Sequence, residues 1–339
     1  MKLTWRRLDL PLARPFTISR ATIDVNHNVL VEIEADGVVG RGEAEPTAFY
    51  DETPDSAVAA LEGFDPAPLA GIETDTPVEE IVAECADRLA GAQSVLAALD
   101  AALWDIRGKQ SGEPVWRLLG APAECRVPTS YTIGIAEPDA MAEIAAQVAD
   151  RYRILKIKVG GERDLECLAA IRQATDLPIR VDANAAWTGE EAVRNIEAMA
   201  PFAIELVEQP CAREDLDGLR RAREASPVPV IADESCHTAD DVDRLAGVVD
   251  GVNIKLVKSG GLCEAVRIVQ KAQELGLMLM VGCMTSSSLA ITTAAHIAGW
   301  MDFIDLDGNL LLADDPFAGA TVEEGTLRIP NAPGLGVTG

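Results

Sequence analysis

Charge sits where a buried strand should not carry it. Short β-rich runs along the chain end in Lys156 and Lys158 (ILKIKVG), Asp182 (PIRVDAN), Glu208 (AIELVEQP), Asp233 (PVIADES), Lys255 (GVNIKLV) and the pair Asp305 and Asp307 (FIDLDG). Charged side chains are rarely buried without partners, so this many at strand ends ask for a shared purpose. Asp182, Glu208 and Asp233 fall on three consecutive runs. Three carboxylates meeting at one point repel one another unless a cation lies between them. Oxygen-only ligation, with no His or Cys beside it, selects a hard ion, Mg²⁺ or Mn²⁺. Any one of them alone reads as a helix cap or the partner of an Arg; three in register favour the metal. Lys156 and Lys158 are two residues apart on one strand and project to the same side, and Lys255 stands across the mouth from them. A lysine facing a metal and another cation has its neutral form favoured, which makes it usable as a base near neutral pH. A divalent ion on a carboxylate, with an acid/base group on each side, is equipped to move a proton on the neighbouring carbon. The ion stabilises the second negative charge that appears when that proton leaves.

The elements that must position these groups follow a period. Polar landmarks at the strand ends fall at 158, 182, 208, 233, 255, 283 and 307, separated by 24, 26, 25, 22, 28 and 24 residues. Each gap is one strand-helix unit, and helical stretches such as GEEAVRNIEAMA and CEAVRIVQKAQELG lie between. Eight strands alternating with helices predict a parallel β/α barrel, whose reacting groups come from the C-terminal strand ends. A doubly wound open sheet would want a Gly-rich phosphate loop after its first strand, and TSYTIGIAEP is not one. Before the barrel, NVLVEIEADG and VVGRGEAEP predict an antiparallel pair turning at Asp36-Gly37. Residues 77–119 carry the 3.6-residue helical period. The expected architecture is α/β: an α+β N-terminal domain over about 1–118, then a β/α barrel over about 119–312. The tail, 313–339, holds no further unit and is expected to return to the N-terminal domain.

Composition removes several functional classes. At 339 residues and 48% hydrophobic content the chain buries a large core. Its net charge of −26 argues against nucleic acid, which needs a Lys/Arg surface. No apolar run reaches the roughly 20 residues that cross a bilayer, and the start, MKLTWRRLDLPLARPF, has no signal-peptide pattern. The expectation is a cytoplasmic protein acting on a small molecule, away from membranes, with a homo-oligomer left open. Seven scattered cysteines without a CxxC pair read as reduced and structural. The acidity suggests high solubility and fits a salt-rich cytoplasm.

LKIKVG, VDAN, VEQP, ADES and NIKLVKSGG, in this order and spacing, resemble the muconate lactonizing enzyme subgroup of the enolase superfamily. The likeness runs over essentially the whole chain, and it implies that the N-terminal unit is a capping domain and the barrel a modified (β/α)7β TIM-like barrel. It implies Asp182, Glu208 and Asp233 as Mg²⁺ ligands, Lys158 and Lys255 as two opposed acid/base catalysts, and Lys156 as a support for the developing oxyanion of an enediolate. The mandelate racemase branch uses a His base. His296, in ITTAAHIAG, falls in the helix after the seventh strand and reads as packed or surface. Asp305 and Asp307 resemble the DxD of dipeptide epimerases, where the pair binds the substrate's α-ammonium; Asp307-Gly308 is also simply a turn signal. The residues between Phe16 and Asn28 resemble the loop that closes over substrate, and Arg20 is its only arginine. An inward Arg20 implies an acidic C-terminal residue on the substrate. An outward one leaves Cys283 and Met284 as walls for an apolar residue. Thr132, at the end of the first barrel strand, reads as a substrate contact or as barrel filling. Dipeptide epimerisation is the expected activity. A cycloisomerase, an o-succinylbenzoate synthase or an N-acylamino acid racemase is the alternative that the DxD pair disfavours. A non-catalytic binder on the same fold would have no need of two opposed bases.

Overall fold

The computed structural model describes residues 1–74, 76–125 and 127–339. Three antiparallel strands come first: β1 (Lys2–Thr17), β2 (Thr22–Ala35) and β3 (Val38–Ala44). The β2–β3 turn is the Asp-Gly hairpin expected from the sequence, with both Asp36 (φ 51°) and Gly37 (φ 76°) left-handed. Helices α1 (Pro54–Gly63), α2 (Val78–Arg88) and α3 (Gln93–Ser111) pack against this sheet, and a single turn, α4 (Val115–Leu118), leads out of it. Nearly all of α3 is buried, because it is pressed between this sheet and the elements that follow. Its approach to β3 is extremely close. A Cβ on Gly42 would stand 1.9 Å from Ala98 O, and one on Gly40 2.0 Å from Ala102 O.

Eight parallel strands then alternate with helices: β4 (Tyr131–Ile133), β5 (Leu155–Lys158), β6 (Ile179–Asp182), β7 (Ile204–Glu208), β8 (Val230–Ala232), β9 (Gly251–Ile254), β10 (Met278–Val281) and β11 (Phe303–Ile304). The sheet runs from β11 to β4 in reverse chain order, and a Thr129–Ile304 bridge joins its two ends. The outer helices are α5 (Pro138–Val148), α6 (Asp164–Ala174), α7 (Gly189–Met199), α8 (Leu216–Ala225), α9 (Ala239–Leu245), the single turn α10 (Leu256–Ser259), α11 (Leu262–Leu275) and α12 (Ser288–Ala295). Outward positions such as Ile157, Val181, Val207 and Ile254 are fully buried under these helices. Each contributes roughly 1.5–3 kcal/mol through burial. Inward positions repeat every second residue. Below the polar mouth, Leu206, Ile231 and Met280 form a separate apolar layer with Phe303 against it, and Arg180 lies 5.1 Å over the Phe303 ring.

Two buried acids fasten the N-terminal elements to the barrel. Asp100, in α3, accepts from the backbone of Leu262 (2.9 Å) and Cys263 (3.1 Å) and so caps α11. Glu43, in β3, accepts from Asn28 Nδ2 (2.6 Å) and from Ser287 N (3.2 Å) just before α12. The C-terminal segment also meets the N-terminal elements, with Ala313 N on Pro11 O (2.8 Å) and Gly334 bridged to Pro114. Among the described residues, no helix is long and apolar enough to cross a membrane.

Because α3 touches β3 backbone to backbone, Gly42→Ala should destabilise the protein by about 1–3 kcal/mol. The urea midpoint measures it; an unchanged midpoint would mean that the helix can move away freely.

Candidate active site

The C-terminal strand ends deliver the charged residues to one place. Register pairs Lys158 with Asp182 and Asp182 with Glu208 on neighbouring strands. Lys158 Nζ donates to Asp182 Oδ2 (2.6 Å). Lys156, one inward position deeper, lies 2.7 Å from Glu208 Oε2, 2.6 Å from Asp305 Oδ2 and 3.2 Å from Asp182 Oδ2. Lys255 follows β9, four strands from β5 in an eight-strand barrel, and therefore faces Lys158 across the mouth; its ammonium pairs with Asp233 Oδ2 at 2.7 Å. Strain holds the rim in this shape. Asn184 (φ 46°), Ala185 (φ 59°) and Gln209 (φ 34°) are left-handed without being glycine. The Gln209 side chain secures its own turn by accepting from Asp233 N (2.8 Å) and donating to Cys211 O (2.8 Å).

Burial is severe and is offset by pairing. Burial disfavours charge on Lys156, yet Asp305, Glu208 and Asp182 hold it well above the ordinary lysine range. Lys255 behaves likewise through Asp233. Without a metal ion beside them, the carboxylates give their charge to these ammonium groups. Burial would raise Asp182 and Asp233, but Lys158 and Lys156 lower the first to about 2, and Lys255 and Lys258 lower the second further. Glu208 is raised by burial and by Asp182. Glu234 is raised to about 7 by burial and by Asp233, and Asp307 to about 7 by burial and by Asp305.

Six buried carboxyl groups (Asp182, Glu208, Asp233, Glu234, Asp305, Asp307) thus meet four buried amino groups (Lys156, Lys158, Lys255, Lys258), an excess of two acidic groups over basic ones. Asn184 Oδ1 and Glu234 Oε2 are buried without a hydrogen bond, whereas Glu208 Oε2 has the Lys156 ammonium beside it at 2.7 Å. Such orphaned oxygens cost about 1–3 kcal/mol each. Excess acidic groups and unsatisfied hard oxygens on one rim fit a divalent cation. Among the described residues no three acidic, His or Cys side chains are already gathered at metal-ligand spacing, since each of the three carboxylates is drawn to a lysine.

Above this rim a cavity is walled by Phe16, Ile18, Ile23, Met284 and Leu311, and it reaches Thr132, Lys156, Lys158, Lys255, Cys283, Asp305 and Asp307. Asp305 is committed to Lys156 and to Ser130 Oγ (2.6 Å). Asp307 accepts from Thr132 N (2.5 Å) and, weakly, from Cys283 Sγ, and among the described residues it forms no ion pair. Arg20 is not part of this wall. It stacks 4.5 Å over the Phe49 ring and donates to Asn184 O at 2.6 Å, beside a separate outer pocket. His296 is fully buried far from the mouth, accepting from Trp116 N (3.0 Å). The sequence reading passed over Lys258, Asn184 and Glu234. All three stood inside the quoted motifs, and the clue was their position within two or three residues of a landmark.

The chain matches two family models: the mandelate racemase / muconate lactonizing enzyme N-terminal domain over residues 2–120, and the enolase C-terminal domain-like model over 140–339. It is similar to the L-Ala-D/L-Glu epimerase of Bacteroides thetaiotaomicron, 37% identical over 99% of this chain and 88% of that protein. The dipeptide epimerase of Enterococcus faecalis, solved with Mg and L-Leu-L-Tyr, superposes with a TM-score of 0.91 at 36% identity and 99% coverage of both chains. A substrate-liganded L-Ala-D/L-Glu epimerase of Bacillus subtilis gives 0.93 at 33% identity, covering 100% of this chain and 98% of that one.

Mg²⁺ at about a hundred times its Kd should stabilise the folded protein by about 2.7 kcal/mol, read as a shift in the urea midpoint. Asp233→Asn and Glu208→Gln should each remove most of that shift. A parent protein indifferent to Mg²⁺ across the titration refutes the metal site.

Proposed function

The chain belongs to the mandelate racemase / muconate lactonizing enzyme family of the enolase superfamily, and from that membership we propose that it epimerises dipeptides at the α-carbon of their C-terminal residue. The observation that carries the reading is the opposition of Lys158 and Lys255 across a cavity whose far side holds the uncompensated Asp307. Asp182, Glu208 and Asp233 would hold Mg²⁺, which, when bound, supplies positive charge to the substrate carboxylate as it gains electron density. Lys156, fixed by Asp305, donates to the same carboxylate. One of the opposed lysines takes the α-proton from its face. The carbon becomes planar, and the other lysine returns a proton from the opposite face, inverting the centre. The substrate's ammonium, one residue away, meets Asp307 and its neighbour Asp305. A cycloisomerase or an N-acylamino acid racemase would leave Asp307 facing the cavity without purpose.

Side-chain preference follows from Arg20. Turned onto Phe49, it leaves Phe16, Ile18, Ile23 and Leu311 to face the C-terminal residue, which favours an apolar one. The reading includes a capping domain (about 1–118 with 313–339) on a barrel (about 119–312), supported by the contacts of Ala313 and Gly334 with N-terminal elements. It also includes a cytoplasmic setting, supported by cysteines that remain free thiols.

Lys158→Ala and Lys255→Ala should each stop epimerisation, while each variant should keep exchanging the α-proton of the one epimer that faces its remaining lysine, seen by mass spectrometry in D₂O. Near-parental epimerisation by either variant sinks the two-base reading. Asp307→Asn should cost on the order of tenfold or more in kcat/KM for dipeptides and little for N-acetyl amino acids. Faster turnover of N-acetyl amino acids than of every dipeptide tested would replace the epimerase by a racemase.

A further inference from the structure

One carboxyl group of the cavity has no part in the proton transfer described above. Glu45 follows β3 and lines the cavity where the N-terminal sheet meets the loop after β10. Among the described residues it forms no ion pair. Its polar neighbour is the Ser286 hydroxyl, which also lies 3.1 Å from Met284 O. The cation whose charge reaches it, Lys255, is bound to Asp233 at 2.7 Å. Burial and the adjacent Glu43 push Glu45 up to about 8 against the opposing pull of Ser286 and Lys255, so its charged form is only partly compensated within the protein.

The path from Asp307 to Glu45 is continuous. Gly308 lies directly against the loop after β10, where an added Cβ would stand 2.0 Å from Met284 O and 3.3 Å from Cys283 Sγ. The wall therefore runs from Asp307 along Cys283 and Met284 to Ser286 and Glu45. The floor beneath is occupied by Lys156 and Lys158. A substrate whose ammonium sits at Asp307 has this wall beside it to receive its N-terminal side chain. Its methylenes would lie on Met284 and Cys283, and its tip would arrive at Glu45.

We propose that Glu45 determines specificity for a dipeptide whose N-terminal residue is basic, a lysine or arginine whose cation pairs with the Glu45 carboxylate. The inference rests on the dipeptide reading above and assigns the N-terminal side chain, whereas the apolar walls concern the C-terminal one. A long basic side chain suits such a wall, since its stem is apolar and only its tip is charged.

The test compares L-Lys-L-Phe with L-Nle-L-Phe, which has a side chain of similar length without charge, by α-deuterium incorporation in D₂O with Mg²⁺ present. The parent protein should favour the lysyl dipeptide by about tenfold or more in kcat/KM. In Glu45→Gln that ratio should fall towards one, and Glu45→Lys should turn the preference to L-Glu-L-Phe. A parental ratio near one, which needs no variant to measure, overturns the assignment of Glu45 while leaving dipeptide epimerisation intact. A ratio that survives in Glu45→Gln overturns it as well. Absence of α-exchange in every dipeptide marks the failure of the dipeptide reading itself, and the role of Glu45 falls with it.

Discussion

Lys156 is only 2% exposed, with its ammonium among carboxylates from β6, β7 and the end of β11. A charge taken this far from water survives only if its partners arrive with it, and losing one partner of such a pair costs on the order of 3–5 kcal/mol. The partners come from opposite ends of the sheet. Asp305 reaches Lys156 only because Ile304 meets Thr129 and Ser130, which closes the barrel at the β11–β4 seam. Ser130 Oγ completes the arrangement by donating to Asp305 at 2.6 Å. Closing the barrel and neutralising its buried charge are therefore the same event.

The site is balanced for one kind of visitor. Lysines hold Asp182 and Asp233 ionised, while Glu208 and Glu234, with fewer cations to share, are pushed towards protonation by burial and by their acidic neighbours. A divalent cation drawing on the same carboxylates would weaken their hold on Lys158 and Lys255, and an ammonium with weaker carboxylate support releases its proton more readily. The lysine chemistry is thus tied to the charge state of the whole mouth. Charge also shapes the substrate side. Asp305 is spoken for by Lys156, and the neighbouring Asp307 is left free to meet a cation.

Much of this was legible because charged residues are rarely buried without partners. Asp182, Glu208, Asp233 and Lys255 therefore marked the strand ends directly, and seven of the eight strands end at, or within three residues before, a landmark. Long-range contacts hid the rest. Nothing near Arg20 in the sequence announces Phe49, whose ring draws the guanidinium out of the cavity wall. Lys258 reaches Asp233 (2.6 Å) only because the chain turns into α10 directly after Lys255. The 16 residues of β1 include Pro11 and Pro15, which obscure its alternation, and its pairing shifts register between Pro11 and Phe16.

The cap that α3 provides to α11 limits how this architecture can be recombined. Gly261, at φ 120°, leads into α11 with Asp100 so close that a Cβ there would lie 2.5 Å from the aspartate side chain. The first amides of α11 answer to Asp100, which lies 162 residues earlier than Leu262. A chimaera that grafts this barrel beneath another relative's N-terminal half would inherit a helix whose opening acceptor belongs to the discarded parent. Such an exchange keeps the junction only if the incoming helix brings its own short acid to that point and leaves the glycine opposite it untouched.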